Sequence, residues 1–186
     1  KDKLSCGLAT DGDADRLGAV DENGDYFTTQ QILSVVYWHM IKNRNKRWNI
    51  ARSVSTTKMV DLIAQKEGLK SFETPVGFKF IADKMIAGEA QIGGEESGGI
   101  GIIDHLPERD GPLTGLLLLE LMAKTGKGLS TIYQEICKTI RPYYFIRHDL
   151  HLSVAQSEKA MTTLKKAPPP ILGPESFRSS LPTRRL

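Results

Sequence analysis

The feature that most constrains the fold is the order of short apolar runs and amphipathic stretches between residues 48 and 94. Trp48 to Val54 reads as a strand and Thr57 to Glu67 as a helix closed by Gly68. Ser71 to Thr74 reads as a strand stopped by Pro75, Phe78 to Ala87 as a helix closed by Gly88, and Ala90 to Ile92 as a strand entering a glycine-rich loop. This βαβαβ order predicts an α/β layered domain whose ligand loops stand at the carboxyl ends of its strands.

Upstream, Cys6 to Thr10 is a short apolar strand. Leu17 to Val20 and Tyr26 to Thr28 flank Asp21-Glu22-Asn23-Gly24, a hairpin signal. Ile32, Val35, Val36, His39 and Met40 then fall at helical spacing, with Thr28 or Thr29 as N-cap and the basic stretch Lys42 to Arg47 at the favourable end of the dipole. Downstream, Pro112 to Lys124 and Ser130 to Ile140 read as helices, and Pro142 marks a boundary. Tyr143 to Leu152 is then expected as a strand and Val154 to Lys166 as a helix. From Ala167 onward the Pro-rich tail has no period and is expected to be mobile or irregular.

At 186 residues and 40% hydrophobic content, the chain can bury one core with appendages. The net charge of +3 gives no ground for a nucleic-acid partner. The two cysteines, Cys6 and Cys137, form no CxxC pair, which fits a reducing, cytoplasmic setting. No apolar run approaches the ~20 residues of a membrane span; Leu116 to Leu119 is typical of the longest. The opening without Met, followed by the apolar segment Leu4 to Ala9, suggests a piece of something longer.

Asp11-Gly12-Asp13-Ala14-Asp15-Arg16 follows the first strand, with carboxylates at alternate positions. In a tight loop such side chains can converge, and three hard oxygen donors suit Mg²⁺ or Ca²⁺; the alternative is an ordinary acidic turn. An EF-hand is excluded, since Arg16 stands where the sharp turn requires Gly and the flanks read as strands. Arg16 would be free to present its planar fork to a phosphate.

Gly93 to Gly99 places four glycines around Glu95, Glu96 and Ser97. Its acidic character argues against a phosphate cradle and for a polyol, with Glu95 and Ser97 bracketing vicinal hydroxyls; a plain hairpin is the alternative. Thr74-Pro75-Val76-Gly77-Phe78-Lys79 runs from a strand end into a helix, offering backbone N–H groups and a lysine that could equally be solvated surface. Lys58 occupies a similar junction after Ser53. His39 falls within an amphipathic helix, His148 and His151 lie on the late expected strand, where residues three apart face opposite sides, and His105 alone belongs to a candidate loop, so zinc is not expected.

Taken in order, the Asp11–Arg16 motif, Thr74 to Lys79, Gly94-Glu95-Glu96-Ser97-Gly98 and Arg109-Asp110-Gly111 resemble the α-D-phosphohexomutase family. The resemblance implies an α/β/α domain with a mixed sheet, plus fragments of neighbouring domains: 1–25 as the end of the metal-loop domain, 26–142 as the sugar-binding domain, and 143–186 as the start of a phosphate-binding domain. It implies transfer of a phosphoryl group between the 1- and 6-hydroxyls of a hexose through a phosphoserine and a bisphosphorylated intermediate. Asp11, Asp13 and Asp15 would hold Mg²⁺ and Arg16 would contact phosphate. Glu95 and Ser97, with Gly77 and Phe78, would bind the sugar, and Lys79 and Lys58 would be basic groups near the reacting oxygens. Glu96 points to a glucose phosphate before a mannose phosphate, since phosphoglucosamine mutases usually carry Gln there. The family's Thr-Ala-Ser-His-Asn-Pro and Arg-x-Ser-Gly-Thr-Glu loops do not occur in these 186 residues. The chain alone is therefore expected to be inactive and to act with the remaining domains of the same polypeptide, without nucleic acid or membrane. A non-catalytic sugar- or metal-binding module of the same fold is the alternative.

Overall fold

The computed structural model describes residues 4–143 and 151–166. The chain divides into two units, Lys1–Phe145 and Ile146–Leu186. The first unit opens with β1 (Gly7–Thr10), β2 (Leu17–Val20) and β3 (Tyr26–Phe27), an antiparallel sheet in sequence order.

Helix α1 (Thr29–Lys42) follows at the expected position. Thr28 caps it: its hydroxyl accepts from the Gln31 N–H, and the Gln31 side chain accepts from the Thr28 N–H at 2.7 Å, satisfying two otherwise orphaned donors. Then come β4 (Ile50–Ser53), α2 (Met59–Lys66), β5 (Ser71–Thr74), α3 (Phe78–Ile86), β6 (Ile92–Gly94), β7 (Ile100–Ile102), β8 (Leu106–Arg109), α4 (Gly111–Thr125) and α5 (Leu129–Thr139). The described part of the second unit contains α6 (Val154–Lys166), where a helix was expected. The expected strand over 143–152 falls largely, and the tail entirely, outside the described residues.

The five-stranded sheet runs β5-β4-β6-β7-β8. Strand β4 is parallel to β5 and β6, as the two helical crossovers require, while β7 and β8 are antiparallel additions. The sheet is thus mixed. Its two faces carry separate cores because side chains alternate along each strand. Ile50, Ile92, Ile100 and Ile102 join residues of α1, α2, α4 and α5 on one side. Ala51 lies with Phe78, Ile81 and Met85 of α3 on the other. This is the helix–sheet–helix layering anticipated from the strand and helix order.

Strands β7 and β8 were not anticipated. Each spans at most four residues and carries Gly101 or Pro107 in place of an alternating apolar pattern, so pairing with β6 supplies the order that local sequence lacks. Strand β6 also lies two residues later than expected. The β1–β3 sheet packs into the larger core through Leu17, Ala19 and Phe27. Among the described residues, no helix is long and apolar enough to cross a membrane.

Candidate functional site

The acidic loop connects β1 to β2. The Ala14 N–H donates to the Asp11 carbonyl at 3.2 Å, and the Arg16 N–H to Asp11 Oδ1 at 3.3 Å, which folds the loop onto itself. Ala14 sits at φ 58°, the left-handed conformation that L-residues adopt at a cost. The result is convergence: one ligand oxygen from each of Asp11, Asp13 and Asp15 lies within 4.8 Å of the others. Asp15 Oδ1 is buried without a hydrogen-bond partner. An orphaned carboxylate oxygen beside two more carboxylates fits a hard divalent cation, which would satisfy it.

Arg16 is not free, in contrast to the expectation from sequence. Its Nε donates to Asp11 Oδ2 and lies 3.4 Å from Asp15 Oδ1. Desolvation pushes the Asp11 carboxyl up, but the hydrogen bonds from Arg16 outweigh it and hold that carboxyl below its ordinary value.

The glycine-rich segment takes the hairpin form that was its alternative reading. It forms the turn of the β6–β7 hairpin, with Glu95 N–H donating to the Gly99 carbonyl at 3.0 Å, and it presents a buried acid. Glu95 is only 6% exposed. Its Oε1 accepts the Gly77 N–H at 3.2 Å, which ties it to the turn entering α3. Burial pushes the Glu95 carboxyl up, opposed by the Arg109 guanidinium and the Gly77 N–H. Glu96 turns the other way: its Oε2 accepts from the Ser53 hydroxyl at 2.8 Å and its carbonyl from Thr29 Oγ1 at 2.6 Å. Ser97 is exposed at the tip.

Backbone contacts bring the two loops together. The Leu17 N–H donates to the Gly98 carbonyl at 3.2 Å, and Arg16 pairs with Gly99 in an isolated bridge. From the other side, the Gly111 N–H donates to the Ala14 carbonyl at 3.0 Å. A Cβ on Gly111 would stand 2.8 Å from the carbonyl oxygens of both Ala14 and Arg16, so only glycine permits this approach at the start of α4. Asp110 caps that helix through the Leu113 N–H at 2.7 Å and holds His105 Nε2 at 3.0 Å.

Arg109 lies between the two loops. Its Nη2 is 2.7 Å from Asp15 Oδ2 and its Nη1 is 3.6 Å from Glu95 Oε2, while its guanidinium lies over the Phe78 ring at 5.6 Å. In sequence, Arg109 stands only as part of the Arg109-Asp110-Gly111 motif, with no role of its own. The available signal was a cation at a strand end, two residues before the glycine that receives the acidic loop.

The remaining candidates stand apart from this contact chain. Lys79 is exposed on the first turn of α3, with Nζ 4.9 Å from the centre of the Phe80 ring. Lys58, also exposed, lines a pocket of about 370 Å³ with Thr28, Gln30, Thr56, Tyr133 and Tyr143. That pocket adjoins the Glu96 side of the hairpin through Thr28 and its neighbour Thr29.

Residues 28–140 match the sequence model of "Phosphoglucomutase/phosphomannomutase, alpha/beta/alpha domain III". A phosphoglucosamine mutase of Corynebacterium jeikeium is 34% identical over 164 residues, covering 87% of this chain and 36% of that protein. Its counterpart in Lactobacillus helveticus is 38% identical over 136 residues, covering 73% and 30%. The chain thus spans about a third of the length of the curated relatives it matches. Among solved structures, the Paramecium exocytosis-sensitive phosphoprotein parafusin, a phosphoglucomutase in open form, superposes with a TM-score of 0.68 at 32% identity, covering 76% of this chain and 26% of that one.

Proposed function

The chain belongs to the phosphoglucomutase/phosphomannomutase family of α-D-phosphohexomutases, and from that membership we propose that it supplies the cation and sugar loops of an enzyme interconverting hexose 1-phosphate and hexose 6-phosphate. The observation that carries the proposal is the junction of three converging carboxylates to a buried glutamate through one arginine. Asp11, Asp13 and Asp15 would hold Mg²⁺. The ion, when bound, supplies charge neutralisation at the phosphoryl group being transferred.

The chain's own residues do the rest of the work assigned to this part of the polypeptide. Glu95 accepts hydrogen bonds from vicinal hydroxyls and Ser97 grips the neighbouring one. Gly77 and Phe78 set the wall against which Glu95 is held. Arg16 anchors the acidic loop and offers its outer N–H groups to phosphate. Lys79 and Lys58 are the mobile cations available to a reacting oxygen, and the phosphoserine donor and distal phosphate contacts come from the remaining domains of the same polypeptide. Such a reaction needs positioning and charge neutralisation more than covalent chemistry from this domain. The free thiols Cys6 and Cys137 suit a reducing cytoplasm.

For the sugar, Glu96 supports glucose phosphate first and mannose phosphate second, and the names of the relatives bring glucosamine phosphate in as a competitor. The test is turnover of glucose 1-phosphate, mannose 1-phosphate and glucosamine 1-phosphate by the protein encoded in the complete reading frame. Glucose 1-phosphate is expected to be the best substrate, and Glu95→Gln to slow both the forward and reverse transfers by about 10²-fold, the range of one lost transition-state contact. Turnover of none of the three sugars would overturn the proposal.

A further inference from the structure

Arg109 is unevenly satisfied. A guanidinium offers five N–H groups in a fixed plane. Here Nη2 engages Asp15 Oδ2 at 2.7 Å, whereas Nη1 stops 3.6 Å from Glu95 Oε2, beyond hydrogen-bond distance. Nε is buried with no hydrogen-bond partner, 3.5 Å from Glu108 Oε1. The stem is confined: the Phe78 ring lies under the guanidinium, and a Cβ on Gly99 would come within 2.3 Å of Arg109 Cδ. Any adjustment is therefore a matter of which carboxylate the head group faces.

The two carboxylates belong to different loops with different partners. Asp15 gives Oδ2 to Arg109, while its Oδ1 is buried without a hydrogen-bond partner, 3.4 Å from Arg16 Nε, in the loop where one oxygen of each of Asp11, Asp13 and Asp15 converges. A divalent cation there draws on the same carboxylate that holds Arg109, and it repels the guanidinium. Two other anions flank the head group: the exposed Glu108, with Oε1 3.5 Å from Nε, and the buried Glu95, with Oε2 3.6 Å from Nη1 and less than 1 Å short of contact.

We propose that Arg109 is a positioning residue that couples the two loops: with the acidic loop empty its guanidinium is held by Asp15, and a cation at Asp15 passes it to Glu95, setting that carboxylate for the sugar. The proposal rests on the cation reading of Asp11, Asp13 and Asp15. It makes cation binding and sugar-loop geometry reciprocal, since each shifts the same two-position arm.

The test is a double-mutant cycle on Mn²⁺ affinity, read by electron paramagnetic resonance on this chain at low ionic strength, where the charges are least screened. Arg109→Gln removes the competing cation and tightens Mn²⁺ binding by about 3- to 10-fold, the size of one partly screened charge contact. Glu95→Gln removes the buried anion facing Nη1, leaving only the exposed Glu108 beside Nε, and weakens binding by about 3-fold, whereas in the Arg109→Gln background the same change has less than about half that effect. Arg109→Lys, a point charge without the fork, folds where Gln fails and likewise loses most of the coupling. In the wild type, the Arg109 Nε–H resonance shifts on Mg²⁺ saturation, a response that a merely structural arginine would not give.

Equal effects of Glu95→Gln in both backgrounds would overturn the coupling. Loss of Mn²⁺ binding is read separately through Asp13→Asn: a variant that binds like wild type overturns the cation reading, and the coupling with it.

Discussion

Ala14 holds the turn of the acidic loop in a left-handed conformation. At φ 58° it costs about 1–2 kcal/mol relative to a glycine in the same conformation, offset by about 0.5–1 kcal/mol because alanine is less free in the unfolded chain. Ala14→Gly is therefore expected to raise stability by about 0.5–1 kcal/mol, measured by urea denaturation, and an equal loss would show that the loop is not strained. Glu95 carries a cost of the same kind. Burial raises its carboxyl, so the folded form holds its proton more tightly than the unfolded one, and its contribution is favourable below the ordinary carboxyl range and lost as pH rises through the raised value. Glu95→Gln should stabilise the chain at pH 7 by under about 1 kcal/mol, with the gain shrinking toward pH 4; a gain that grows on acidification would reverse the sign. The three aspartates were legible because alternate spacing in a tight loop converges without help from the rest of the fold. The role of Arg109 was not, because both of its carboxylates lie on loops that only the tertiary structure brings to it.

Among elements, α5 depends on a cap from a distant turn. Its N-cap residue is Gly128, which has no side chain to offer, and the carboxylate of Glu22 takes the Ser130 N–H at 3.2 Å and the Ser130 hydroxyl at 2.7 Å. Desolvation pushes the Glu22 carboxyl up, but the hydrogen bonds from Ser130 and Thr131 prevail and hold it below its ordinary value. The sign follows directly: stability from Glu22 is present above the unfolded carboxyl range and lost as pH falls through the folded value. Glu22→Ala should cost about 1 kcal/mol at pH 7, the worth of a helix cap, and almost nothing at pH 2, measured by thermal melting across that range. A cost independent of pH would assign Glu22 a packing role instead. The helices and the parallel strands were readable from period and punctuation. Strands β7 and β8 were not, since their short glycine- and proline-containing segments become strands only by pairing with β6.

At the scale of the whole unit, β4 and its neighbours divide two cores and leave their loops at one edge, as the βαβαβ order predicts. The chain order and four motifs were enough to place it among the phosphohexomutases, because those motifs concentrate on the edge where the loops meet. Sequence alone could not show that the acidic loop, the hairpin turn and the start of α4 are bonded to one another, with Arg16 paired inward. The central claim is that these loops form one cation and sugar site. Its most direct test is paramagnetic broadening of backbone amide signals by substoichiometric Mn²⁺. The amides of Asp11 to Arg16, Gly94 to Gly99 and Arg109 to Gly111 should broaden together, and Asp13→Asn should abolish the effect. Broadening scattered over other surface carboxylates, or confined to the acidic loop while Glu95 and Arg109 stay sharp, would contradict the account.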